Sequence, residues 1–286
     1  MQNPHLKFAF FGTPDVASRT LDILEQNGYS PTVIITSVDR RSGRGMHMTE
    51  SPVSMWAKTH GIPCLKPEKI TKDFIEELKG YDVDLSIVVA YGVLLPQDLI
   101  DLPRYGTINI HYSLLPLYRG ASPVEEALLN GDTETGVSIQ EMRLKLDSGP
   151  IVADEKVKIE IDDRKESLRE KLISLGGNLL SRILPSVIEG KTVLQPQDES
   201  KATYCTKIKK EDGEIDPDGN AWQNYNKYRA YEGWPGVYFF LMRHNKKIRI
   251  KVTGARYSDD SFIIEKVIPE GRHEMAYTDL LRGRSL

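Results

Sequence analysis

Residues Thr107–Gly120 have the sequence TINIHYSLLPLYRG, and the rest of the predicted fold is organised around them. Thr107–Ile110 favour a β-strand, and the Ser113–Pro116 segment breaks it before a helical pattern begins. Because side chains alternate along a strand, Asn109 and His111 are expected on one face of the sheet. An amide that can donate to a carbonyl oxygen, beside an imidazole that can carry a proton, suits acyl transfer. The alternative is a buried strand end with one hydrogen-bonded histidine, and this stretch alone favours that alternative.

Apolar runs alternate with helical patterns before this stretch, which predicts an α/β protein with a Rossmann-like, mostly parallel open sheet. Asp84–Ala90 is apolar almost throughout, as expected of a central strand covered on both faces. In such sheets ligands bind outside the carboxyl ends of the strands. Tyr91–Pro96 and Asn109–Pro116 are therefore expected to line one crevice.

The segment FGTPDVA (Phe11–Ala17) follows the first predicted strand. It lacks the GxGxxG spacing, which argues against a dinucleotide site. Gly12 is expected to allow a tight turn and the close approach of a substrate.

The segment Asp39–Met48, DRRSGRGMHM, shows neither a helical nor a strand period and is predicted as a loop. It contains Arg40, Arg41 and Arg44. Arginine-bearing loops between regular elements contact nucleic-acid phosphates or bases, or are simply solvated surface. Composition alone leaves both interpretations open.

The second half of the chain predicts a change of architecture. Lys165–Glu189 is a long amphipathic pattern, with a bend expected at Gly176 and Gly177. Several short strands follow from Cys205 onward, which predicts a small, OB-like β-barrel. The predicted domains are a catalytic domain at 1–190, a linker at 191–204 and a C-terminal domain at 205–286.

Charge is distributed unevenly along the chain. The net charge is −3, yet residues from Cys205 onward hold 15 Lys and Arg against 12 Asp and Glu. Alternation places Lys247, Arg249 and Lys251 on one face of a predicted hairpin. Such a face is usually solvated surface, and together with the arginine loop it becomes a candidate footprint for RNA.

The composition bounds the class of protein. The 286 residues are 40% hydrophobic and 28% charged, which is typical of a globular protein with a sizeable core. No apolar run approaches the roughly 20 residues that span a bilayer. The N-terminal segment lacks the pattern of a signal peptide, and Cys64 and Cys205 form no metal or redox spacing. These features predict a cytoplasmic protein.

Several segments together resemble the folate-dependent formyltransferases, and within them the enzymes that act on methionyl-tRNA. The matching segments are FGTPDVA (Phe11–Ala17), DRRSGRG (Asp39–Gly45), SPV (Ser51–Val53), AYGVLLP (Ala90–Pro96), NIHYSLLPLYRGASP (Asn109–Pro123), GDTETGVSIQEM (Gly131–Met142), LDSGPI (Leu146–Ile151), KATYCTKI (Lys201–Ile208), WPG (Trp234–Gly236) and VIPEGRHEM (Val267–Met275). The Asn-x-His, SLLP and Asp set is specific for the superfamily. The GRG loop and the tail are typical of the enzymes that act on tRNA.

The resemblance implies 10-formyltetrahydrofolate as the formyl donor and the α-amino group of methionyl-initiator tRNA as the acceptor. It places Asn109, His111 and Asp147 at the catalytic positions. Formyl transfer to an amine passes through a tetrahedral oxyanion, which needs hydrogen-bond donors where the charge develops. Asn109 and protonated His111 would supply them. Asp147 would hold His111 and take a proton from the attacking ammonium through water.

The resemblance also implies two sets of binding residues, a monomer and no metal. The residues expected to bind folate are Ser113, Leu114, Leu115, Pro116, Val89, Tyr91, Leu94, Gln140 and Met142. The residues expected to bind tRNA are Arg40, Arg41, Arg44, Lys207, Lys247, Arg249 and Lys251. Met46 and His47 replace basic residues that are common in the family's loop, so this loop is less cationic than usual.

Three alternatives remain on the sequence. An N-formyltransferase acting on an amino-sugar nucleotide, or a formyltetrahydrofolate hydrolase, would keep Asn109, His111 and Asp147 without needing the arginine loop or the basic tail. A non-catalytic RNA-binding protein would use the loop and the tail. It would have no need of the three catalytic positions.

Overall fold

The structure, a computed structural model, describes residues 6–42, 47–243 and 246–283, except for the side chains of residues 41, 42, 47 and 243. The helices are α1 (Asp15–Gln26), α2 (Pro52–His60), α3 (Lys72–Lys79), α4 (Gln97–Ile100), α5 (Pro123–Leu129), α6 (Lys165–Ile188), α7 (Ala221–Ala230) and α8 (Tyr277–Leu281). The strands are β1 (Phe8–Gly12), β2 (Val33–Ile35), β3 (Arg40–Ser42), β4 (His47–Thr49), β5 (Cys64–Leu65), β6 (Leu85–Val89), β7 (Thr107–His111), β8 (Arg119–Gly120), β9 (Glu134–Glu141), β10 (Ile151–Lys158), β11 (Tyr204–Cys205), β12 (Tyr238–Arg243), β13 (Lys246–Ser258), β14 (Ser261–Pro269) and β15 (Met275–Ala276).

A seven-stranded sheet in the order β10-β9-β7-β6-β1-β2-β5 forms the centre of the N-terminal part. The ladders that join β7, β6, β1, β2 and β5 are parallel, and β9 runs antiparallel to β7. The predicted α/β class with a mostly parallel open sheet is confirmed. Because β6 and β7 are parallel neighbours, the loops after them leave the same edge of the sheet.

Helices cover both faces of this sheet. On one face, buried side chains of β1, β2 and β6 pack against Phe74, Ile75 and Leu78 of α3. On the other face, α6 lies so close to the sheet that a Cβ on Gly176 would be 3.2 Å from the side chain of Ile110. Strands buried on both sides must be apolar throughout, and this explains the uninterrupted apolar sequence of β6.

The glycine pair in α6 has a packing role. The helix continues from Lys165 to Ile188 through Gly176 and Gly177, where the sequence predicted a bend. A Cβ on Gly177 would lie 2.8 Å from the side chain of Ile23, so a larger residue would force α6 away from α1. Close helix approach, and not a break in the helix, accounts for the pair.

Gly12 also serves packing. A Cβ at this position would lie 2.6 Å from Ala17 and 3.0 Å from the Val89 carbonyl oxygen. The space above Gly12 is thus filled by α1 and β6. The expected close approach of a substrate to Gly12 stays a prediction.

The predicted loop Asp39–Met48 contains regular structure at both ends. Residues Arg40–Ser42 pair antiparallel with His47–Thr49 as β3 and β4. The sequence pattern missed this hairpin because so short a ladder depends on main-chain hydrogen bonds and needs no period in its side chains. Residues 43–46 lie outside the described part of the chain.

The chain divides into two compact units. One contains residues 1–119, 136–157 and 171–204, and the other contains residues 120–135, 158–170 and 205–286. The segment 191–204, expected as a linker, belongs to the unit that contains the sheet. Its Gln195 exchanges two main-chain hydrogen bonds, of 2.8 and 2.9 Å, with Ile151. The last segment of the sheet-containing unit ends at Tyr204, and no division between the units falls at residue 190.

The second unit contains a four-stranded antiparallel sheet in the order β12-β13-β14-β15. Its helices α5 and α7 approach one another where Gly131 follows α5. A Cβ on Gly131 would lie 2.7 Å from the indole nitrogen of Trp222. This antiparallel sheet, which follows Cys205, agrees with the prediction of several short strands in that part of the chain.

In the part of the chain that the structure describes, no helix has both the length and the apolar character to cross a membrane.

Candidate active site

Asn109 and His111 lie side by side on the same face of β7, at its carboxyl end. Ile110, between them, points to the opposite face and the helix α6. His111 is only 6% exposed, whereas Asn109 is half-buried. The Asn109 amide makes no side-chain hydrogen bond to any residue that the structure describes. It is therefore available to a bound substrate.

His111 has a defined partner on each ring nitrogen. Its Nε2 lies 2.9 Å from the main-chain oxygen of Tyr118. Since a carbonyl oxygen can only accept, Nε2 must carry a proton and donate it. Its Nδ1 lies 3.7 Å from Oδ2 of Asp147, which is a charge contact too long for a hydrogen bond. Nδ1 thus faces the Asp147 carboxylate without a hydrogen bond to it.

Asp147 belongs to a tight turn between β9 and β10. Its φ of 47° lies in the left-handed region, which non-glycine residues adopt infrequently. Gly149 passes so close to β9 that a Cβ there would overlap the carbonyl group of Glu141. Gln140 donates from Nε2 to Oδ1 of Asp147 at 3.0 Å. Gln140, which is predicted as a wall of the folate pocket, is therefore also a direct partner of the Asp147 carboxylate.

Ser138 holds the Ser113–Pro116 loop and was missed by the sequence analysis. Its Oγ donates to the main-chain oxygen of Ser113 at 2.8 Å and accepts from the main-chain N–H of Leu115 at 2.9 Å. Ser138 lies directly opposite His111 in the β7–β9 ladder and is fully buried. The signal was present, because Ser138 and Gln140 are polar on alternate positions of β9, where they alternate with the apolar Val137 and Ile139.

Replacing Ser138 by alanine is expected to raise the KM for 10-formyltetrahydrofolate about tenfold and to lower the free energy of unfolding by about 1–3 kcal/mol. Both effects follow because two main-chain groups of the loop lose their partner. Steady-state kinetics and chemical denaturation measure them. Ser86→Ala is the matched control, since Ser86 is equally buried and its hydroxyl has no hydrogen-bond partner among the described residues. A KM unchanged in Ser138→Ala would contradict this role.

The other residues predicted to bind folate come from β6, β7 and the loops that follow them, at one edge of the sheet, except for Met142, whose main-chain N–H donates to Thr107 at the amino end of β7. Ser113 and Val89 are fully buried, so neither exposes surface to a ligand in this conformation. Leu94 is 83% exposed. Tyr91 packs edge-on against Phe11, and its hydroxyl is buried with no partner in the described part of the chain. Met142 packs against the core cluster that contains Phe11 and Tyr91.

A buried arginine lies behind the catalytic turn. Arg119 of the LYRG motif is 0% exposed, and its Nε and one terminal nitrogen donate to Oε1 of Gln197 at 3.1 and 2.7 Å. It also pairs with Glu199 at 2.8 Å. Hydrogen bonds from Arg119 and then Lys145 lower the pKa of Glu199 to about 2, so this carboxylate is ionised at neutral pH. No feature of the sequence had indicated a role in the site for Arg119, Gln197 or Glu199.

The residues predicted to bind tRNA lie partly within the described chain. Arg40 and Lys207 are exposed, Arg44 lies outside the described residues, and the side chain of Arg41 is not described. The alternate residues of β13 are better defined. Lys247, Arg249 and Lys251 face the β12 residues Met242, Phe240 and Tyr238 across the ladder.

Basic and aromatic side chains are interleaved on this face of β12 and β13. The Nζ of Lys247 lies 3.9 Å from the ring centre of Phe240, and the guanidinium carbon of Arg249 lies 5.5 Å from that of Tyr238. Cations beside aromatic rings are the combination that binds phosphates and stacks on unpaired bases. We call these six residues the basic–aromatic face.

Among the residues that the structure describes, no three His, Cys, Asp or Glu side chains are grouped so that they could hold a metal ion.

Comparisons with known proteins identify the family. Residues 6–184 match the formyl transferase family, and residues 207–265 match the formyl transferase C-terminal domain. The chain is 40% identical over 235 residues to the methionyl-tRNA formyltransferase of Sulfurihydrogenibium sp. (strain YO3AOP1), covering 82% of this chain and 76% of that protein. It is 39% identical over 297 residues to the methionyl-tRNA formyltransferase of Geobacter sulfurreducens, covering 97% of this chain and 94% of that protein.

One solved structure with the same fold is methionyl-tRNA formyltransferase from Clostridium thermocellum. It matches with a TM-score of 0.60 at 15% sequence identity, covering 93% of this chain and 99% of that one. At this identity the likeness concerns the fold alone. The sequence matches, which extend over nearly the whole chain, together with the geometry around Asn109, show that the chain belongs to the methionyl-tRNA formyltransferase family.

Proposed function

We propose that this protein transfers the formyl group of 10-formyltetrahydrofolate to the α-amino group of methionyl-initiator tRNA, with Asn109, His111 and Asp147 as catalytic residues. The observation that carries the proposal is the Asn109 amide, which has no side-chain partner among the described residues, beside the His111–Asp147 pair. Hydrolases and transferases of the superfamily share that chemistry. Relatives that match over nearly the full length are named for transfer to methionyl-tRNA, and this decides the acceptor.

The reaction needs one bond to form and one to break. The neutral amine of the acceptor attacks the formyl carbon, and its C–O double bond becomes a tetrahedral oxyanion. The Asn109 N–H and the Nδ1 side of His111 stabilise that oxyanion by donating to it. Collapse of the intermediate breaks the bond between the formyl carbon and N10 of the folate. Tetrahydrofolate leaves, and the formamide of methionyl-tRNA remains.

Asp147 handles the proton in this scheme. The acceptor amine is an ammonium ion in water and must lose one proton to the Asp147 carboxylate, through a water molecule, before it attacks. The second proton that the nitrogen loses after the attack ends on N10 of the leaving tetrahydrofolate. Asp147 also faces Nδ1 of His111, so the carboxylate serves both the amine and the imidazole.

The folate would bind against the main chain of the loops that follow β6 and β7. Ser138 fixes the Ser113–Leu115 part of this surface, and the buried Tyr91 hydroxyl supplies a polar group that the described protein residues do not satisfy. Main-chain donors and acceptors at a rigid edge suit the flat, hydrogen-bonding pterin ring. The side chains of Leu114 and Leu115 would then contact its apolar surface.

The basic–aromatic face supports tRNA as the acceptor. Replacing Lys247 and Arg249 together by alanine is expected to raise the KM for methionyl-tRNA about tenfold and to leave kcat unchanged, because these cations would bind phosphates and take no part in formyl transfer. The slope of log KM against log salt should fall by about 1 for each phosphate that the variant no longer binds.

Lys246→Ala is the matched control, since Lys246 is exposed on the same strand and alternation places it on the other face. Salt titrations of initial rates with all three proteins give the comparison. A double variant whose KM and salt slope equal those of the wild type would remove this face from the tRNA site.

One assay tests the whole proposal against its rivals. The purified protein is given labelled 10-formyltetrahydrofolate with charged initiator methionyl-tRNA, charged elongator methionyl-tRNA or an amino-sugar nucleotide. We expect label in the initiator tRNA. Label in the sugar nucleotide, or formate released without an acceptor, would replace the proposal by an amino-sugar N-formyltransferase or a hydrolase. Binding of tRNA with no folate turnover would indicate a non-catalytic RNA-binding protein.

The proposal also places the protein in the cytoplasm, where its aminoacyl-tRNA substrate is found, and has it act as a monomer. Light scattering should then give a mass near 32.4 kDa at assay concentrations.

A further inference from the structure

Gln197 connects the polar segment 191–204 to the catalytic turn. Its Nε2 donates to the main-chain oxygens of Asp147 at 3.0 Å and of Gly149 at 2.6 Å. Its Oε1 accepts from two nitrogens of the buried Arg119. A single amide therefore satisfies acceptors on one side and donors on the other.

The orientation of this amide is fixed by its surroundings. If the group were flipped, Oε1 would face two carbonyl oxygens and Nε2 would face a guanidinium, so every contact would become repulsive. Arg119 cannot move away to relieve this, because it is fully buried and also bound to Glu199. Gln197 is thus a rigid, directional anchor.

The turn that it anchors needs support. Asp147 adopts a left-handed main-chain conformation, which is strained for a non-glycine residue and persists only when its neighbours enforce it. The flanking side chains Leu144, Lys145 and Leu146 are exposed and provide little packing. Gln197 binds the main-chain oxygen of Asp147 itself and that of Gly149.

The same network reaches the other half of the catalytic pair. Tyr118, next to Arg119 in the chain, accepts the hydrogen bond from Nε2 of His111. Residues 118 and 119 therefore hold His111 through a main-chain oxygen and Asp147 through Gln197. The 3.7 Å between His111 and Asp147 lies just beyond hydrogen-bond distance, so small shifts of the turn change the contact.

We propose that Gln197 is a positioning residue for Asp147: it fixes the catalytic turn through the Asp147 and Gly149 carbonyl oxygens and is itself oriented by Arg119. This proposal rests on the catalytic role given to Asp147 in the proposed function. It makes the segment predicted as a linker part of the active-site architecture.

Gln197→Ala is expected to lower kcat about 10- to 100-fold, as a misplaced catalytic group does, with KM for donor and tRNA within threefold of wild type. Gln197→Glu should lose at least as much, because a carboxylate keeps the Arg119 contact but has no N–H for the two carbonyl groups. Glutamate fills the same space, so a role in packing alone would leave this variant near wild type. Gln195→Ala is the control, since Gln195 is exposed on the same segment.

Coupling to Asp147 separates positioning from a general loss of structure. In the Asp147→Asn background, single-turnover rates with excess enzyme should change less than twofold when Gln197→Ala is added, because the group being positioned no longer acts. Losses that multiply would overturn the proposal. A kcat within twofold of wild type in both Gln197 variants would overturn it as well.

A measurement without turnover keeps this test independent of the proposed function. Hydrogen exchange of peptides covering residues 144–150 should be faster in Gln197→Ala than in wild type and unchanged in Gln195→Ala. Unchanged exchange in Gln197→Ala would refute the anchoring. If exchange responds as expected but wild type formylates no tRNA, the proposed function fails and the anchoring of the turn stands.

Discussion

Asn109→Ala is expected to lower kcat for formyl transfer by about 10²–10³-fold, the usual cost of removing one oxyanion donor. Its stability should be unchanged, because the Asn109 amide has no side-chain partner among the described residues. His111→Ala should lose a similar factor in kcat. It should also lose about 1–3 kcal/mol in the free energy of unfolding, since it removes the part-buried hydrogen bond from His111 to the Tyr118 oxygen. The two variants thus separate chemistry from folding.

Single-turnover transfer of labelled formyl groups at saturating donor and tRNA measures the first effect, and urea denaturation measures the second. Asn178→Ala provides the control, because Asn178 is exposed on α6 and bonds only within its own helix. The catalytic assignment would not survive an Asn109→Ala variant that retains more than a tenth of the wild-type kcat.

Arg119→Ala is expected to lower the free energy of unfolding by about 2–4 kcal/mol and to reduce activity at least as much as loss of Gln197. The large side chain is fully buried, and its removal leaves Oε1 of Gln197 without a donor. The ion pair with Glu199 contributes little to this figure, because that carboxylate is about half exposed. Arg119→Lys keeps a positive charge but cannot bind Gln197 with two nitrogens, so an intermediate loss is expected.

Chemical denaturation of these variants, with formyl-transfer rates measured on the same samples, gives both quantities. Arg143→Ala is the surface control, since Arg143 pairs with Glu141 while about half exposed, and its stability should change by no more than about 0.5 kcal/mol. If Arg119→Ala were as stable as Arg143→Ala, the buried network would not support the fold.

The parts of the structure that local chemistry determines could be predicted from the sequence. The apolar run Asp84–Ala90 became β6, and the alternation at Asn109 and His111 correctly placed both side chains on one face. Ser51 before Pro52 caps α2, since its hydroxyl accepts from the Ser54 main-chain N–H, and serine before proline is a usual helix start. Each of these depends on residues within a few positions of one another.

Contacts between distant segments could not be predicted in this way. Gln197 lies 50 residues from Asp147 and sits in a polar stretch, which is typical of solvent-exposed chain. The left-handed conformation of Asp147 left no mark in the sequence, because aspartate occurs in turns of many kinds. The role of the glycine pair in α6 could not be predicted for a related reason. Whether a glycine pair breaks a helix or admits a neighbouring helix depends on what packs against it.

The segment 191–204 bears on where this chain can be divided or exchanged with that of a relative. A polypeptide ended at residue 190 would keep every strand of the seven-stranded sheet and the three side chains proposed as catalytic. It would lose the main-chain pairing of Gln195 with Ile151, as well as Gln197 and Glu199. Its turn around Asp147 would then be without the two hydrogen bonds that Gln197 donates to it. Chimeras and shortened versions of the catalytic unit should therefore join after Tyr204, where the hydrogen bonds of the segment are complete.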